Sequence, residues 1–292
     1  MTGFSVPVPG ATLHVDSCAP AKKSPPHNPP LLLLHGGPGA DSGYLRPQLD
    51  ALADLGRGQT LYYYDQRGAD RSPQNPGDPP PSAWVHRDDL ESLRVYLGFS
   101  RVRLLGYSWG ALLALLYASR FPERVEKLIL LSPAPLSAKT RLAYEQNRAA
   151  SLQRPSVAAL RAELSARSAT ASPEEKRRFR FALAVTPYFV DPRRALDLSP
   201  FLVKQRLEEA VWNSLGKDFD FRKDLPTPAP FSTLVLHGEE DIIPIQSGEE
   251  TARLLSAAFV RLPACGHVPY LEAPTLLFNA LTPFLDDHRP DP

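Results

Sequence analysis

The sequence has little that would mark a disulfide-rich or membrane-spanning protein. Its 292 residues include only two cysteines, Cys18 and Cys265, whose separation fits no metal-binding or redox motif. We therefore expect no disulfide framework, and a reducing cytoplasm is the expected compartment. The N-terminus has no basic leader or apolar stretch typical of a signal peptide, and leucine runs such as Leu31–Leu34 are far too short to cross a bilayer.

The charge balance likewise gives no sign of a polyanionic partner. The chain has 33 Lys and Arg against 32 Asp and Glu, a net charge of +1, without a basic cluster. We therefore expect no nucleic acid or anionic membrane partner. With 43% hydrophobic and 22% charged residues the composition is that of an ordinary globular protein, long enough to bury a large core.

Short apolar runs bounded by turn residues predict buried strands. They do not alternate polar and apolar residues, so both faces of the sheet should be covered, as in a parallel sheet. Helical patterns at 44–55, 84–97 and 109–118 separate several of them, and residues 4–16 resemble an antiparallel hairpin. Strands alternating with helices predict an α/β fold with a mostly parallel, doubly wound sheet. The predicted strands are 31–34, 61–64, 102–105, 128–131, 234–236 and 259–262.

The alternation stops after Leu131, and only helical patterns follow as far as Pro226. Ser172 and Glu175 form a capping-box pattern at the start of one helix, and Ser199-Pro200 predicts the start of another. The sequence therefore predicts an α-helical cap inserted into the sheet. The expected division is a first core part at 1–132, a cap at 133–226 and a second core part at 227–292.

A nucleophile is predicted where strand 102–105 meets an apolar helix. The connecting residues, Gly106-Tyr107-Ser108-Trp109-Gly110, form a G-x-S-x-G pattern. A sharp strand-to-helix turn exposes the serine hydroxyl, and the small flanking residues let strand and helix pass closely. Ser108 is therefore the candidate nucleophile, although a tight turn without catalytic function would show the same five residues.

A serine nucleophile needs a base and a carboxylate that orients the base. Asp241 follows strand 234–236 and His267 follows strand 259–262, so both lie at the carboxyl edge of the predicted sheet, in the chain order Ser, Asp, His. Glu239 and Glu240 compete with Asp241 for the carboxylate role. The other histidines lie where no site is expected or, for His237, before Asp241 in the chain.

The loop after strand 31–34 predicts an oxyanion hole. It reads His35-Gly36-Gly37-Pro38-Gly39, and its glycines allow the backbone to approach a substrate closely. The N–H groups of Gly37 and Trp109 are the candidate donors to a developing alkoxide. No Gly-Lys-Ser/Thr follows, which excludes a phosphate-binding P-loop. His35 is interpreted as a structural residue beneath the loop.

Three segments together resemble the proline iminopeptidase family of α/β hydrolases. They are the HGGPG loop just quoted, Asp65-Gln66-Arg67-Gly68 with the residues to Ser72, and the Gly106 to Gly110 turn. The resemblance implies cleavage of an N-terminal residue, usually proline, from short peptides without metal or cofactor. It assigns Ser108, Asp241 and His267 as the triad, with Gly37 and Trp109 as oxyanion donors.

The substrate contacts are less defined. An aminopeptidase must hold a cationic α-amine, and the family uses cap glutamates for this. Glu208 and Glu209 are candidates here, as is Trp212, with Tyr107 beside the nucleophile; solvated glutamates are the alternative. Cap aromatics could line an acyl pocket or form the cap core. These are Phe181, Tyr188, Phe189 and Trp212.

Two other functions stay open. A carboxylesterase acting on small acyl esters or amides needs no amine pocket, and a ligand-binding protein could retain the triad without turnover. In each case the expected partner is a small molecule or a short peptide.

Overall fold

The computed structural model describes residues 2–21, 29–55, 58–75, 77–78 and 81–286. An eight-stranded sheet runs through it in the order β1-β2-β4-β3-β5-β6-β7-β8. The first two strands form the predicted antiparallel hairpin and add to β4, and the other six are parallel. The strands are β1 Thr2–Val8, β2 Ala11–Cys18, β3 Leu31–Leu34, β4 Leu61–Tyr64, β5 Val102–Tyr107, β6 Val125–Leu131, β7 Ser232–Gly238 and β8 Ala258–Leu262.

The six strands predicted from apolar runs are all present, but the expectation that both faces are covered fails at the sheet edge, where only Leu262 of β8 is buried. Every residue of β3 and β5 is buried, as expected for a parallel sheet with a helical layer on each side. Two predicted helices cover it, α1 at Ala83–Tyr96 and α2 at Trp109–Arg120. Ten residues of α2 are buried, so this helix lies inside the core.

The helix predicted at 44–55 is wrong. The chain forms two short 3₁₀ turns there, Gly43–Leu45 and Asp50–Asp54. Pro47 lies between them; a proline has no N–H to donate and disfavours helical geometry in the residue before it. Arg46 accordingly has an extended backbone, with φ −117° and ψ 150°. The apolar spacing that suggested a helix still buries Leu45, Leu49 and Leu52.

Between β6 and β7 the described chain is helical, which gives the fold its inserted α-helical cap. Its helices are α3 Ala138–Ser151, α4 Pro155–Arg167, α5 Pro173–Val185 and α6 Gln205–Asn213. The capping box of Ser172 and Glu175 is present at the start of α5. The division at 132/133 and 226/227 stays a prediction.

The helix start predicted at Ser199-Pro200 is wrong, because α6 begins only at Gln205. The backbone before it is used otherwise. The Lys204 N–H donates to the Gly39 carbonyl of the core at 3.2 Å, and the Lys204 ammonium lies 2.8 Å from Asp70. The segment before α6 therefore docks against the core instead of continuing the helix toward its N-terminus.

Three helices complete the second core part. They are α7 Ile245–Leu254, α8 Pro269–Glu272 and α9 Pro274–Asp286, and Pro283 lies inside α9. Within the described ranges, no helix combines the length and apolar character needed to span a membrane.

Candidate active site

Ser108 lies at the turn between β5 and α2 in a strained backbone conformation. Its φ is 53° and its ψ is −119°, outside the regions that side-chain-bearing residues ordinarily occupy. The surrounding hydrogen bonds fix this turn: the Ser108 N–H donates to the Leu131 carbonyl at 3.0 Å, and the Ser108 carbonyl accepts from Ala111 at 3.0 Å. Backbone strain held by its surroundings in this way is typical of functional sites.

The two glycines of the G-x-S-x-G turn are required by close packing. A Cβ on Gly106 would lie 2.4 Å from the Gly110 carbonyl oxygen, and a Cβ on Gly110 would lie 2.0 Å from the Leu34 carbonyl oxygen. Both contacts are with backbone atoms, which cannot move aside as a flexible side chain can. The glycines therefore allow α2 to start directly against β5 and β3, and this directs the serine outward.

The structure brings Ser108, His267 and Asp241 into one hydrogen-bonded line. The Ser108 Oγ lies 2.9 Å from His267 Nε2. On the other side of the ring, His267 Nδ1 lies 2.9 Å and 3.0 Å from the two carboxylate oxygens of Asp241. The three residues come from the carboxyl ends of β5, β7 and β8, the edge at which α/β sheets place their sites.

Asp241 is distinguished from its acidic neighbours by burial. Its side chain is fully buried, whereas Glu239 and Glu240 are exposed. Burial alone would raise the pKa of the Asp241 carboxyl; His267, His237 and the Ile243 N–H, which donates at 2.8 Å, outweigh burial and lower it. Asp241 therefore stays ionised and can fix the orientation of the imidazole.

The alternative histidines lie elsewhere or have other partners. His14 lies beside Asp16 on the hairpin, and His86 is a buried residue of α1 whose Nε2 donates to the Arg67 carbonyl. His237 contacts Asp241 from the other side, but its Nε2 donates to the Ile243 carbonyl at 3.0 Å. His27 and His288 lie outside the described residues.

His267 is held through its backbone as well as its ring. Its N–H donates to the Tyr188 carbonyl at 2.7 Å, and its carbonyl accepts from the Tyr107 hydroxyl at 2.9 Å. The rings of Tyr107 and Tyr188 each lie with their centroids 5.3 Å from the imidazole. Tyr107, predicted to bind substrate, borders the cavity, but its hydroxyl is used to position His267.

The predicted oxyanion residues both border the cavity in front of Ser108. Gly37 has a φ of +62°, a left-handed conformation that favours glycine, and Trp109 is the first residue of α2. Gln66 links the two loops, since its amide donates to the His35 carbonyl at 2.9 Å and accepts from the Trp109 indole at 2.9 Å. The Gly37 and Trp109 loops are therefore held in fixed relation by one side chain.

His35 has a structural position, as interpreted from the sequence. Its Nε2 accepts from the Gln66 N–H at 3.1 Å, and its Nδ1 bonds to the Gly36 carbonyl at 3.0 Å. Burial lowers the pKa of this imidazole, which keeps it neutral and able to accept and donate at once.

The Asp65 to Ser72 segment supports the loops of the site through ion pairs and hydrogen bonds. Arg67 forms a two-pronged pair with Asp89 of α1, at 2.9 Å and 2.6 Å, and both side chains are 4% exposed. Asp65 is fully buried and accepts from Arg71 and Ser42. These paired buried charges anchor the loop that carries Gln66.

A cavity of about 870 Å³ lies between the cap and the core, with Ser108 and His267 on its floor. One face of α6 borders it through Gln205, Glu208, Glu209 and Trp212, spaced one helical turn apart. Phe181, Tyr188 and Trp212 line the cavity as aromatic wall. Phe189 does not line it; this residue is 1% exposed and belongs to the core, the other use considered for the cap aromatics.

The two candidate glutamates have different surroundings. Glu208 is half-buried, and within the described chain its carboxylate makes no hydrogen bond or ion pair within 4.0 Å; burial raises its pKa, partly offset by Arg141 and Arg148. Glu209 is exposed and accepts from Gln205 at 2.9 Å. Trp212 packs edge-on against Trp109 with ring centroids 5.0 Å apart.

Sequence reasoning missed the opposite wall of the cavity. Helix α3 contributes Arg141, Tyr144, Glu145 and Arg148. Their i, i+3, i+4, i+7 spacing marks one helical face and was a signal available in the sequence. It did not identify a site, because periodicity alone does not tell what a face contacts.

No group of three or more histidine, cysteine, aspartate or glutamate side chains suited to a metal occurs in the part of the chain that the structure describes. Cys18 and Cys265 are free, and Cys265 is buried beside the site with its pKa raised by that burial.

Comparisons with known proteins agree with this architecture. Residues 29–274 match the model of the α/β-hydrolase fold family. The proline iminopeptidase of Levilactobacillus brevis is 30% identical over 272 residues, covering 89% of each chain.

Solved structures agree as well. The crystal structure of the proline iminopeptidase-related protein of Thermus thermophilus superposes with a TM-score of 0.73 at 27% identity, covering 97% of this chain and 96% of that one. A thermophilic esterase from Thermogutta terrifontis shares the fold, with a TM-score of 0.68 at 22% identity over 98% of both chains. The chain belongs to the α/β-hydrolase fold family and is related within it to the proline iminopeptidases.

Proposed function

We propose that this protein is a serine hydrolase that cleaves acyl bonds through a covalent acyl-enzyme. The observation that carries the proposal is the continuous line from the Ser108 hydroxyl through the His267 ring to the buried Asp241 carboxylate, each step 2.9–3.0 Å long. These distances are within proton-transfer reach without movement of any loop.

The chemistry follows from these contacts. His267 takes the proton of Ser108 as its oxygen attacks the substrate carbonyl, and Asp241 stabilises the resulting imidazolium. The N–H groups of Gly37 and Trp109 are the proposed donors to the alkoxide. His267 then gives the proton to the leaving group, and a water molecule activated by the same histidine releases the acyl group.

We further propose that the acyl group carries an α-amine, as in the release of an N-terminal residue such as proline from a short peptide. Two observations support this proposal. The relative from Levilactobacillus brevis is named a proline iminopeptidase. Glu208 offers a half-buried carboxylate on the cavity wall, with no side-chain hydrogen bond within the described chain. A charge-assisted bond to an ammonium group would satisfy it.

The nucleophile can be tested by labelling with a fluorophosphonate. We expect stoichiometric labelling of the wild-type protein and none of the Ser108→Ala variant. Labelling that persists in Ser108→Ala would reject the assignment of Ser108.

The amine subsite can be tested with a matched pair of glutamates. Glu208→Gln should raise KM for proline p-nitroanilide by about tenfold, the loss of one charge-assisted bond. Glu209→Gln, an exposed neighbour on the same helix, should change it little. Neither variant should alter turnover of p-nitrophenyl butyrate, which has no amine.

A carboxylesterase or amidase acting on small acyl esters is the second candidate. It is favoured by the cationic side chains of Arg141 and Arg148 on the cavity wall, which oppose an isolated ammonium group near Glu208. Hydrolysis of p-nitrophenyl acetate and butyrate without any hydrolysis of proline p-nitroanilide would favour this function and remove the aminopeptidase proposal.

A further inference from the structure

The cavity above Ser108 has charges of opposite sign on two facing helices. Helix α3 presents Arg141 and Arg148, and helix α6 presents Glu208. The two arginines act on the Glu208 carboxylate electrostatically, so all three groups share one space. A neutral or purely cationic substrate would use only part of this wall.

Arg141 has hydrogen-bonding capacity that the protein does not use. Its Nε donates to Glu145 at 2.8 Å, and its guanidinium carbon lies 3.6 Å from the Trp212 ring centroid. This stacking fixes the plane of the guanidinium. Its Nη1 is buried and has no hydrogen-bond partner among the residues that the structure describes, while 21% of the side chain remains exposed. Because a buried donor without a partner is destabilising, a rotation of the guanidinium that brought Nη1 to an acceptor in the cavity would be favourable.

Arg148 lies about two turns further along α3, on the same face as Arg141. It interacts electrostatically with Tyr188, Tyr144 and Glu208, and in the described ranges no carboxylate comes within 4.0 Å of its guanidinium. Tyr188 in turn lies against the His267 ring. Arg141 contacts the ring of Trp212, which packs against Trp109, the residue after the nucleophile. Both arginines therefore line the same cavity as Ser108.

We propose that Arg141 and Arg148 form a subsite for a carboxylate group of the substrate. The proposal rests on the proposed function as a serine hydrolase and specifies its substrate as a small acid. The planar guanidinium matches a carboxylate with two parallel N–H donors. The partial burial of Arg141 strengthens such a bond relative to water, whereas Arg148 is exposed and adds its charge and donors from the outer part of the cavity wall. The carboxylate can belong to the leaving group, as the C-terminus of a dipeptide, or to the acyl group, as in a half-ester of a dicarboxylic acid.

The subsite also removes the conflict between Glu208 and the arginines. An ammonium group at Glu208 is repelled by the two cations, which weakens a substrate that has an amine alone. A substrate carboxylate bound at the arginines neutralises that repulsion. Amine and carboxylate of one zwitterionic molecule therefore support each other, and a dipeptide with a free C-terminus is favoured over its C-terminal amide.

Calorimetric binding to the Ser108→Ala variant tests the subsite without turnover. The first pair of probes is Pro-Ala and Pro-Ala amide, and the second is monomethyl glutarate and its neutral carbamoyl counterpart. We expect the acid of at least one pair to bind about tenfold more tightly than its amide partner, which lacks the carboxylate. Preference in the peptide pair assigns the carboxylate to the leaving group, and preference in the half-ester pair assigns it to the acyl group.

Arginine variants made in the same background locate the preference. Arg148→Gln should reduce it to about twofold or less, and Arg141→Lys, which keeps the charge but loses the fork, should reduce it partially. Arg161→Gln, an exposed arginine of α4 away from the cavity, should leave it intact. The preference is the ratio of acid to amide affinity within one variant. A general weakening of binding by a disturbed cap affects both probes alike and leaves that ratio unchanged.

Equal binding of acid and amide probes in both pairs, or a preference that survives both arginine substitutions, overturns the subsite. Failure of the proposed function has a different signature, which is absence of fluorophosphonate labelling and of ester or anilide turnover in the wild-type protein. The binding comparison is read independently of that result.

Discussion

The hydroxyl of Tyr107 offers a sharp test of how His267 is positioned. It is the donor to the His267 carbonyl, at 2.9 Å, in a site where Tyr107 is 5% and His267 4% exposed. Tyr107→Phe keeps the ring and removes only this oxygen. The carbonyl then remains buried without that donor, at a loss of about 1–3 kcal/mol in the free energy of unfolding.

The same change should affect catalysis, because His267 stands between Ser108 and Asp241. Loss of one of its two backbone anchors should lower kcat about tenfold through misalignment of the imidazole, with KM nearly unchanged. The assay is steady-state hydrolysis of p-nitrophenyl butyrate, with the rate of fluorophosphonate labelling as a second readout. The labelling rate reports the reactivity of Ser108, and we expect it to be independent of stability as long as the protein is folded.

Tyr64→Phe is the matched control. This tyrosine is 1% exposed on β4, and within the described ranges its hydroxyl has no hydrogen-bond partner. Removing that oxygen should therefore be neutral or slightly stabilising. If Tyr107→Phe matches Tyr64→Phe in stability, kcat and labelling rate, the Tyr107 hydroxyl does not position His267 and the reasoning fails.

Three further outcomes are expected. Asp241→Asn should lower kcat by about 10³–10⁴-fold with little change in KM, measured by initial rates near pH 8. Burial lowers the pKa of His86 to about 3, against about 6.5 in the unfolded chain. The unfolded state therefore takes up a proton first as the pH falls below 6.5, and the free energy of unfolding should drop by about 2 kcal/mol by pH 5. Urea unfolding of His86→Gln should show a shallower loss over that range. Gly110→Ala should destabilise by more than about 3 kcal/mol, whereas Gly77→Ala, with open space but φ +89°, should lose about 1 kcal/mol.

Each of these has a contrary result. An Asp241→Asn enzyme with near wild-type kcat would mean that another group orients the imidazole. An unchanged pH slope in His86→Gln would mean that His86 is not the group that takes up the proton. A stable, active Gly110→Ala would contradict the close approach of α2 to β3.

Much of the fold was readable from the sequence because the relevant signals are local. The six apolar runs correspond to strands, most of them buried on both faces, and Gly106 to Gly110 between a strand and an apolar helix defines the turn at Ser108. The placement of Asp241 and His267 followed from chain order and strand ends. These inferences need only the short range of the pattern and the shared edge of a parallel sheet.

Other features depend on contacts that a linear pattern does not contain. Residues 44–55 have helical spacing, but Pro47 divides them into two turns. Glu208 and Glu209 are adjacent in sequence, yet only the rotation of α6 decides which one is half-buried. The role of Arg141 and Arg148 was hidden for the same reason, because a polar helical face looks alike whether it faces water or a cavity.

The way the cap joins the sheet has a consequence for how the substrate preference of such a protein can change. The cap segment leaves after β6 and returns at β7, which are hydrogen-bonded neighbours, so its two ends start from adjacent strands about 5 Å apart. Such an insertion can be exchanged, lengthened or trimmed without altering strand register. Ser108, Asp241 and His267 all belong to the core, so they can be retained while the cap walls of the cavity change. A chimera that exchanges only the cap should keep its reactivity and acquire a new substrate preference, provided that the new cap supplies an acceptor for the His267 N–H, as the Tyr188 carbonyl does here.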